Sequence, residues 1–321
     1  MKAIVHTEYG SPDLLKLEEI DVPPIGDDQV LVKVRAASVN PLDWHYLRGK
    51  PYVVRAQSGI RRPKNTGSGA DLAGTVETVG ADVLEFQPGD EVYGQSIRTF
   101  AEYVRVSPGA IVRKPANLTF EQAAAVPVAG FTALQGLRDK GHIRPGQKVL
   151  IIGAAGGVGT FAVQIAKSYG AEVTGVCSTR NVDLVRSIGA DLVIDYTEED
   201  FAKGGPDYDL IFELAGSHSR SSLRRILNAD GTLVLCSAPE GNWLAPIIPM
   251  VAAAVTSRFS RQRVVTFLAR RTVDDLIALR ELIDSGAVTP VIDRTYPLSE
   301  VPEAIRYLEE GHARGKVVIT I

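Results

Sequence analysis

Cysteine is scarce in this chain. Its 321 residues include only Cys177 and Cys236, which are too few for a disulfide framework or a cysteine-rich zinc site. Each lies in an apolar, strand-like run, so both are predicted to be buried and to pack as small hydrophobic side chains. Such low cysteine usage is typical of a reducing compartment, and we expect a cytoplasmic location.

Long apolar runs and an excess of charge of one sign are also missing. The longest apolar stretch, residues 243–256, contains two prolines and is too short to span a bilayer. The formal net charge of −3 gives no general attraction to nucleic acid or to anionic lipid. The N-terminus alternates like a strand and reaches acidic residues by Glu18, so no signal peptide is predicted. The sequence thus predicts neither a nucleic-acid partner nor an integral membrane segment.

Glycine, in contrast, is abundant, and four of the 30 glycines fall within residues 153–159. The spacing Ala154-x-Gly156-x-x-Gly159 lies between an apolar run and a helix-like run, and it is the dinucleotide fingerprint with alanine in first place. We interpret Ala154 as the tight-turn residue, Gly156 as allowing close approach of a pyrophosphate, and Gly159 as allowing helix and strand to pack closely. The phosphates are expected on the free amides at the helix N-terminus.

The apolar periodicity changes along the chain, whose length suggests about two domains. Residues 1–118 show strand and turn signals punctuated by proline and glycine, which predicts an irregular β-barrel-like domain. From residue 119 apolar strands alternate with helices, which predicts a doubly wound parallel sheet and an α/β fold class. The last region returns to strand and turn, and its final strand, residues 316–321, is expected to rejoin the first domain.

The tip of the second strand of this sheet indicates which nicotinamide cofactor is bound. An acidic residue there would accept bonds from the 2′-hydroxyl of NAD, but the tip holds Ser178, Thr179 and Arg180 instead. A guanidinium suits a 2′-phosphate, so the sequence favours NADPH over NADH. The alternative is that Arg180 is only a solvated residue at the start of a helix.

Several motifs, in order along nearly the whole chain, make it similar to the zinc-independent quinone oxidoreductases (zeta-crystallin-like) of the medium-chain dehydrogenase/reductase superfamily. These motifs are AASVNPLD (36–43), GADLAG (69–74), VG (79–80), PGDEVYG (88–94), AVPVAGFTA (125–133), GAAGGVG (153–159), GADLVIDY (189–196) and GKV (315–317).

The resemblance implies a GroES-like β-barrel catalytic domain made of residues 1–120 and 287–321. A Rossmann dinucleotide-binding domain of residues 121–286 is inserted between them, and the cofactor lies in the cleft. The implied activity is NADPH-dependent reduction of a quinone or of the carbon–carbon double bond of an enone. Some members are homodimers joined sheet edge to sheet edge, and the apolar strand near residues 264–268 is the candidate edge.

The resemblance also assigns cofactor-binding residues. Asn40 and Thr132 are expected near the nicotinamide ribose, and Lys316 is a weaker assignment. The remaining set covers the pyrophosphate, the adenosine phosphate and the nicotinamide side in turn: Ala155, Gly156, Gly157 and Val158; Ser178, Thr179, Arg180 and Tyr196; Ala215, Gly216 and Ser237.

Zinc-dependent relatives have a cysteine where this chain has Asn40 and Gly-His-Glu where it has Gly69-Ala70-Asp71, together with a four-cysteine loop. Asp71 alone cannot hold a catalytic zinc, which needs three protein ligands, so no metal is predicted. Without a Lewis acid, reduction of an isolated carbonyl is harder, and conjugate reduction is favoured. The alternatives are an NADP-dependent alcohol or aldehyde oxidoreductase and a non-catalytic NADPH-binding protein.

The proton donor is open in the sequence. His45 is suited to protonate an enolate near neutral pH, or is a surface histidine on a helical turn. Tyr46 and Tyr52 are the other candidates, and Asp43 is expected to cap or pair locally. The apolar stretch 243–259 either roofs the substrate cleft or forms a buried helix or a subunit contact. The natural acceptor and the oligomeric state are not determined by the sequence.

Overall fold

The computed structural model describes residues 1–205, 207–216, 218–236 and 261–321. The predicted site residue Ser237 and the apolar stretch 243–259 lie outside the described residues. The chain forms two compact units. The first unit comprises Met1–Ala129, Arg271–Asp284 and Pro290–Ile321, and the second comprises Gly130–Arg270 and Ser285–Thr289.

The described residues form fifteen strands and nine α-helices. The strands are β1 Lys2–Val5, β2 Lys16–Glu19, β3 Val30–Val39, β4 Asp71–Val79, β5 Glu91–Gln95, β6 Tyr103–Val106, β7 Ile111–Arg113, β8 Lys148–Ile152, β9 Glu172–Cys177, β10 Leu192–Asp195, β11 Tyr208–Glu213, β12 Leu227–Leu235, β13 Arg263–Thr266, β14 Ile292–Pro297 and β15 Lys316–Thr320. The helices are α1 Pro41–Arg48, α2 Arg55–Ser58, α3 Phe120–Ala124, α4 Pro127–Gln135, α5 Gly157–Ser168, α6 Val182–Ser187, α7 Arg220–Arg225, α8 Val273–Asp284 and α9 Val301–Glu309.

A seven-stranded sheet organises the first unit. Its order is β14-β15-β3-β4-β5-β7, with β6 also paired to β3, and every pairing except β14–β15 is antiparallel. Alternate residues of β3, Val30, Val32 and Val34, are buried against the other strands, as expected for a strand with one solvated face. The C-terminal strand β15 pairs with β3, Val317 opposite Val39, so the last strand rejoins the first unit as predicted.

Helix α8 belongs to the first unit, which differs from the predicted domain boundaries. The Tyr93 hydroxyl donates to the carbonyl of Leu276 at 3.0 Å, and the Asn117 amide donates to the carbonyl of Ile283 at 3.0 Å. Residues 271–284, which the predicted boundaries placed in the 121–286 domain, are thus part of the first unit, and the first unit also extends beyond residue 120. A helical period shows that a helix has a buried face, but not which sheet buries that face.

Six parallel strands form the sheet of the second unit, in the order β10-β9-β8-β11-β12-β13. This is the doubly wound order, with the chain starting in the middle and winding outward to both sides. Leu150, Ile211 and Leu233 are fully buried on the central strands. The predicted doubly wound parallel sheet is thus confirmed.

Strand β13 is an edge of this sheet among the described residues, and Leu268 just beyond it is 90% exposed. The homodimer through this edge stays a prediction. Cys177 is buried at the end of β9, as predicted, whereas Cys236 follows the end of β12 and is only partly buried, so that prediction was wrong for Cys236. In the described part of the chain, no helix has the length and apolar content needed to cross a membrane.

Candidate functional site

The glycine-rich turn joins β8 to α5. Gly153 follows β8 with a φ of +84°, so the left-handed residue of the turn is Gly153 and not Ala154, to which the sequence analysis assigned the turn. Ala154 is fully buried. A Cβ at Gly159 would lie 2.1 Å from the Gly153 carbonyl oxygen, which agrees with the predicted need for close packing between helix and strand.

The start of α5 presents backbone at the surface of the second unit. Gly156, Gly157 and Val158 are partly exposed, whereas Ala155 before them and Thr160 after them are buried. The Thr160 amide donates to the Gly156 carbonyl. The amides before Thr160 in the first turn therefore have no acceptor within the helix. A Cβ on Gly156 would meet only the Gly153 carbonyl oxygen, at 3.4 Å. This open cradle of amides at the positive end of a helix dipole fits a pyrophosphate.

The adenosine end of the predicted site lies at the ends of β9 and β10. Cys177 and Asp195 are paired in register, and the Tyr196 amide donates to the Cys177 carbonyl at 3.0 Å. This pairing brings Ser178, Thr179, Arg180 and Tyr196 to one edge of the sheet. The last three are exposed there. The edge therefore combines hydroxyl groups with a guanidinium.

Asp195 is a polar residue of this edge that the sequence analysis missed. Its carboxylate accepts from the Thr197 amide at 2.9 Å and from the Thr197 hydroxyl at 2.7 Å. The Thr197 hydroxyl also bonds the Thr179 hydroxyl. Hydrogen bonds from Thr179 and Thr197 hold the pKa of Asp195 below its usual value. The sequence prediction named Tyr196 and the tip of β9 but not the carboxylate next to Tyr196, which the neighbouring strand β10 brings to the same edge.

Glu213 organises the loop that carries Ala215 and Gly216. One oxygen of its buried carboxylate accepts from the amides of both residues, each at 2.7 Å. The other oxygen, Oε2, is buried and has no hydrogen-bond partner among the described residues. Burial raises the pKa of Glu213 above its usual value. The signal in the sequence was an acidic residue directly after the apolar run 210–212, and it was not used in the prediction.

A cluster of buried polar side chains joins β3, β4 and β15 in the first unit. The Lys316 ammonium donates to Asn40 Oδ1 at 2.5 Å and lies 3.7 Å from Asp71 Oδ2. The Asn40 amide nitrogen donates to Asp71 at 2.9 Å and to the Ser38 carbonyl at 3.2 Å. Asn40 is 1% exposed, so both of its amide protons are bonded inside the protein. We call Lys316, Asn40, Asp71 and Ser38 the buried cluster.

Asp71 links this cluster to the first turn of α4. Its Oδ1 accepts from the Val128 amide at 3.1 Å, and its Oδ2 also accepts from the Ser38 hydroxyl at 2.8 Å. Thr132, predicted near the nicotinamide ribose, lies in the same helix and is 7% exposed. Burial raises the pKa of Asp71 and lowers that of Lys316. The sequence analysis named Asp71 only as an insufficient zinc ligand.

Asp43 borders the cluster and caps α1. Its carboxylate accepts from the Asn40 backbone amide at 2.7 Å, which completes a capping box with Asn40. The predicted local capping role of Asp43 is therefore confirmed. Burial is the main cause that raises the pKa of this carboxyl to about 7.

A cavity of about 470 Å³ opens beside these residues in the first unit. The described residues that contribute polar or charged groups to its wall include Asp43, Tyr46, His6, Ser68, Gln95, Arg98 and Arg271. The Arg271 guanidinium donates to the Gln95 carbonyl at 2.9 Å, which fixes its position. The wall thus brings together acidic, basic and hydroxyl groups.

Of the three predicted proton donors, Tyr46 lines this cavity, while His45 and Tyr52 are not among the described lining residues. The His45 Nδ1 lies 2.8 Å from the Lys50 carbonyl oxygen, and its ring lies 3.7 Å from that of Trp44. The Tyr52 ring contacts the Arg55 guanidinium at 4.8 Å. The sequence analysis missed His6 and Ser68, because they lie far from the 40–46 segment in the chain.

Comparison with known proteins identifies the family. Residues 26–116 match the family described as "Alcohol dehydrogenase GroES-like domain", and residues 188–319 match "Zinc-binding dehydrogenase". The chain is 37% identical to the 2-methylene-furan-3-one reductase of Solanum lycopersicum and 37% identical to the chloroplastic NADPH-dependent alkenal/one oxidoreductase of Arabidopsis thaliana. Each alignment covers 99% of this chain and 79% of the relative.

A solved structure agrees with these relatives. The quinone oxidoreductase of Coxiella burnetii superposes with a TM-score of 0.87 at 33% identity, over 100% of this chain and 99% of that one. Because one of the relatives is chloroplastic, the cytoplasmic location stays a prediction. The chain belongs to the quinone oxidoreductase family of the medium-chain dehydrogenase/reductase superfamily.

Proposed function

We propose that the protein is an NADPH-dependent reductase that transfers hydride to quinones or to the carbon–carbon double bond of α,β-unsaturated carbonyl compounds, without zinc. The observation that carries the proposal is the glycine turn, with Gly156, Gly157 and Val158 partly exposed at the start of α5. Two relatives, named as a 2-methylene-furan-3-one reductase and an alkenal/one oxidoreductase and similar over 99% of this chain, support the acceptor class.

In this proposal the amides of the first turn of α5 bind the pyrophosphate, and the guanidinium of Arg180 binds the 2′-phosphate together with the hydroxyls of Ser178 and Thr179. When bound, NADPH supplies the hydride. The loop held by Glu213 carries Ala215 and Gly216, and we propose that its fixed backbone limits the positions that the nicotinamide side adopts.

The donor set of the first unit does not fit a catalytic zinc. At the positions compared with zinc-dependent relatives, the chain offers an amide at Asn40, a methyl group at Ala70 and a carboxyl at Asp71. The carboxyl is already bonded by Ser38 and Asn40 and faces the Lys316 ammonium. Zinc prefers thiolate, imidazole and free carboxylate ligands, so no step is assigned to a metal.

We propose that the acceptor occupies the 470 Å³ cavity. In conjugate reduction, charge develops on the acceptor's oxygen, and preorganised cations lower the energy of that state. Arg98 and Arg271 supply positive charge in the wall, and Tyr46 supplies a hydroxyl. In this arrangement the acceptor's own conjugation takes the place of a Lewis acid.

The test is a panel of quinones, enones and simple aldehydes, with oxidation of NADPH followed by absorbance in the presence and absence of a chelator. We expect turnover of quinones or enones that the chelator does not change. Aldehyde turnover that the chelator abolishes would instead favour the alcohol and aldehyde oxidoreductase. Tight NADPH binding without turnover across the panel would favour a non-catalytic NADPH-binding protein.

A further inference from the structure

The cavity wall contains a histidine–serine pair. His6 Nδ1 lies 3.2 Å from the Ser68 hydroxyl oxygen, and both residues line the cavity. His6 is 6% exposed, so its side chain is held within the wall of the cavity that it lines. Such a pair of a hydroxyl and an imidazole in a substrate-sized cavity is a typical arrangement for moving a proton.

The backbone holds both residues in place. The His6 amide donates to the Thr66 carbonyl at 2.7 Å, and the Phe100 amide donates to the Ser68 carbonyl at 3.0 Å. Gly69, next to Ser68, has a φ of +98°, and a Cβ there would lie 2.4 Å from the Thr99 hydroxyl oxygen. The segment therefore follows a path that requires glycine, and this path sets the position of Ser68 against His6.

We propose that Ser68 and His6 form the proton relay that completes reduction of the acceptor. The inference rests on the proposed function, because it needs an acceptor that becomes an oxyanion in this cavity. The oxyanion takes the hydroxyl proton of Ser68, and Ser68 Oγ takes the Nδ1 proton of His6. Nε2 of His6 takes a proton from solvent. One proton is thus moved from solvent to the acceptor, and the imidazole ends as its other neutral tautomer.

The charge state of His6 suits this role. Burial lowers the pKa of the imidazole, opposed by a backbone contact with Thr66, so the ring is neutral at neutral pH. A neutral ring carries one N–H donor and one acceptor nitrogen, which is what a relay requires. The other titratable or charged groups in the described wall are Asp43, Tyr46, Arg98 and Arg271. Because the pKa of Asp43 is raised to about 7, its titration also contributes to a pH profile, and the solvent isotope effect is a more specific readout.

The test compares His6→Asn with His142→Asn, since His142 is exposed in the second unit. We expect kcat to fall by about a hundredfold in His6→Asn and in Ser68→Ala, the size of a general acid contribution. NADPH affinity, measured by fluorescence titration, should be unchanged, and the solvent isotope effect on kcat should rise because proton transfer becomes limiting. His142→Asn should behave like the wild type.

Ser68→Thr retains the hydroxyl and should keep most of the turnover that Ser68→Ala loses. This comparison tests the role of the Ser68 hydroxyl even if His6→Asn does not fold. Wild-type turnover in both Ser68→Ala and His6→Asn overturns the relay and leaves the proposed function intact. A loss in Tyr46→Phe alone would overturn it in favour of the tyrosine. If no quinone or enone supported NADPH oxidation by the wild-type protein, the proposed function itself would be overturned.

Discussion

Replacing Lys316 by methionine removes the cation of the buried cluster while retaining a long side chain. Lys316 is 4% exposed, and Asp71, whose Oδ2 lies 3.7 Å from the ammonium, is fully buried. Removing one partner of a buried ion pair leaves an uncompensated charge and costs about 3–5 kcal/mol. We therefore expect Lys316→Met to lower the free energy of unfolding by about 3–5 kcal/mol at about pH 8.

The loss should depend on pH, because the remaining carboxyls can bind protons. Burial already raises the pKa of Asp71 and raises that of Asp43 to about 7, and removing the ammonium raises both further. A carboxyl with a raised folded-state pKa binds its proton more tightly in the folded chain, so stability falls as pH rises from the unfolded pKa of about 4 through the folded pKa. The destabilisation of Lys316→Met is therefore expected to be smaller near about pH 5 than near about pH 8.

Urea denaturation at the two pH values measures both effects, and Lys167→Met is the matched control. Lys167 pairs with Asp191 at 2.7 Å, but the two side chains are 34% and 39% exposed. Such a pair contributes at most about 1 kcal/mol. Adding Asp71→Asn to Lys316→Met removes the uncompensated charge and should recover part of the loss. The expectation is refuted if Lys316→Met lowers the free energy of unfolding by no more than Lys167→Met does, or by the same amount at both pH values.

Three further predictions concern the second unit and its cofactor, with one control in the first unit. Gly159→Ala should lower the melting temperature and weaken NADPH binding, because the added Cβ would lie 2.1 Å from a backbone carbonyl oxygen. Gly109→Ala is the control and should leave both unchanged, because a Cβ there would have nothing within 4 Å. Equal melting temperatures of the two variants would contradict this prediction. Arg180→Ala should raise the KM for NADPH about tenfold relative to that for NADH. Asp195→Asn should lower the KM for NADPH relative to that for NADH. An unchanged ratio of the two KM values in Arg180→Ala would show that Arg180 does not bind the phosphate. Glu213→Gln should weaken NADPH binding about tenfold in a fluorescence titration, because a neutral acceptor replaces the carboxylate that holds two amides; wild-type affinity would show that the loop needs no anion.

The sequence predicted well where local pattern decides the structure. Alternating apolar strands and helices are enough to specify a doubly wound sheet, because parallel strands need crossover connections and those connections are right-handed. The glycine turn was recognised for the same reason, since its spacing reflects contacts among residues close in the chain. Only the tight-turn residue was placed one position late, on Ala154, whereas the residue with positive φ is Gly153.

The missed features are those that join distant parts of the chain. Asn40 and Lys316 are 276 residues apart, and Ser68 and His6 are 62 apart, so no local period marks either contact. The predicted domain boundaries placed residues 271–284 in the inserted domain, whereas the structure groups them with the first unit, because an apolar helix face is compatible with either sheet. Buried polar residues such as Asp71 and Glu213 were visible as acids beside apolar residues, but their partners become known only from the fold.

The position of Lys316 on β15 has a consequence for synthesis on the ribosome. Asn40 and Asp71 are made early, but the ammonium that compensates the buried carboxyl is made 276 residues after Asn40. The second unit, almost entirely one continuous segment, is complete before that lysine emerges. Because domains fold as units during translation, the second unit is able to fold first. At that stage the first unit still lacks the lysine that compensates the Asp71 carboxyl. In a nascent chain stalled before residue 316, we therefore expect the second unit to resist protease and the first unit to be cleaved.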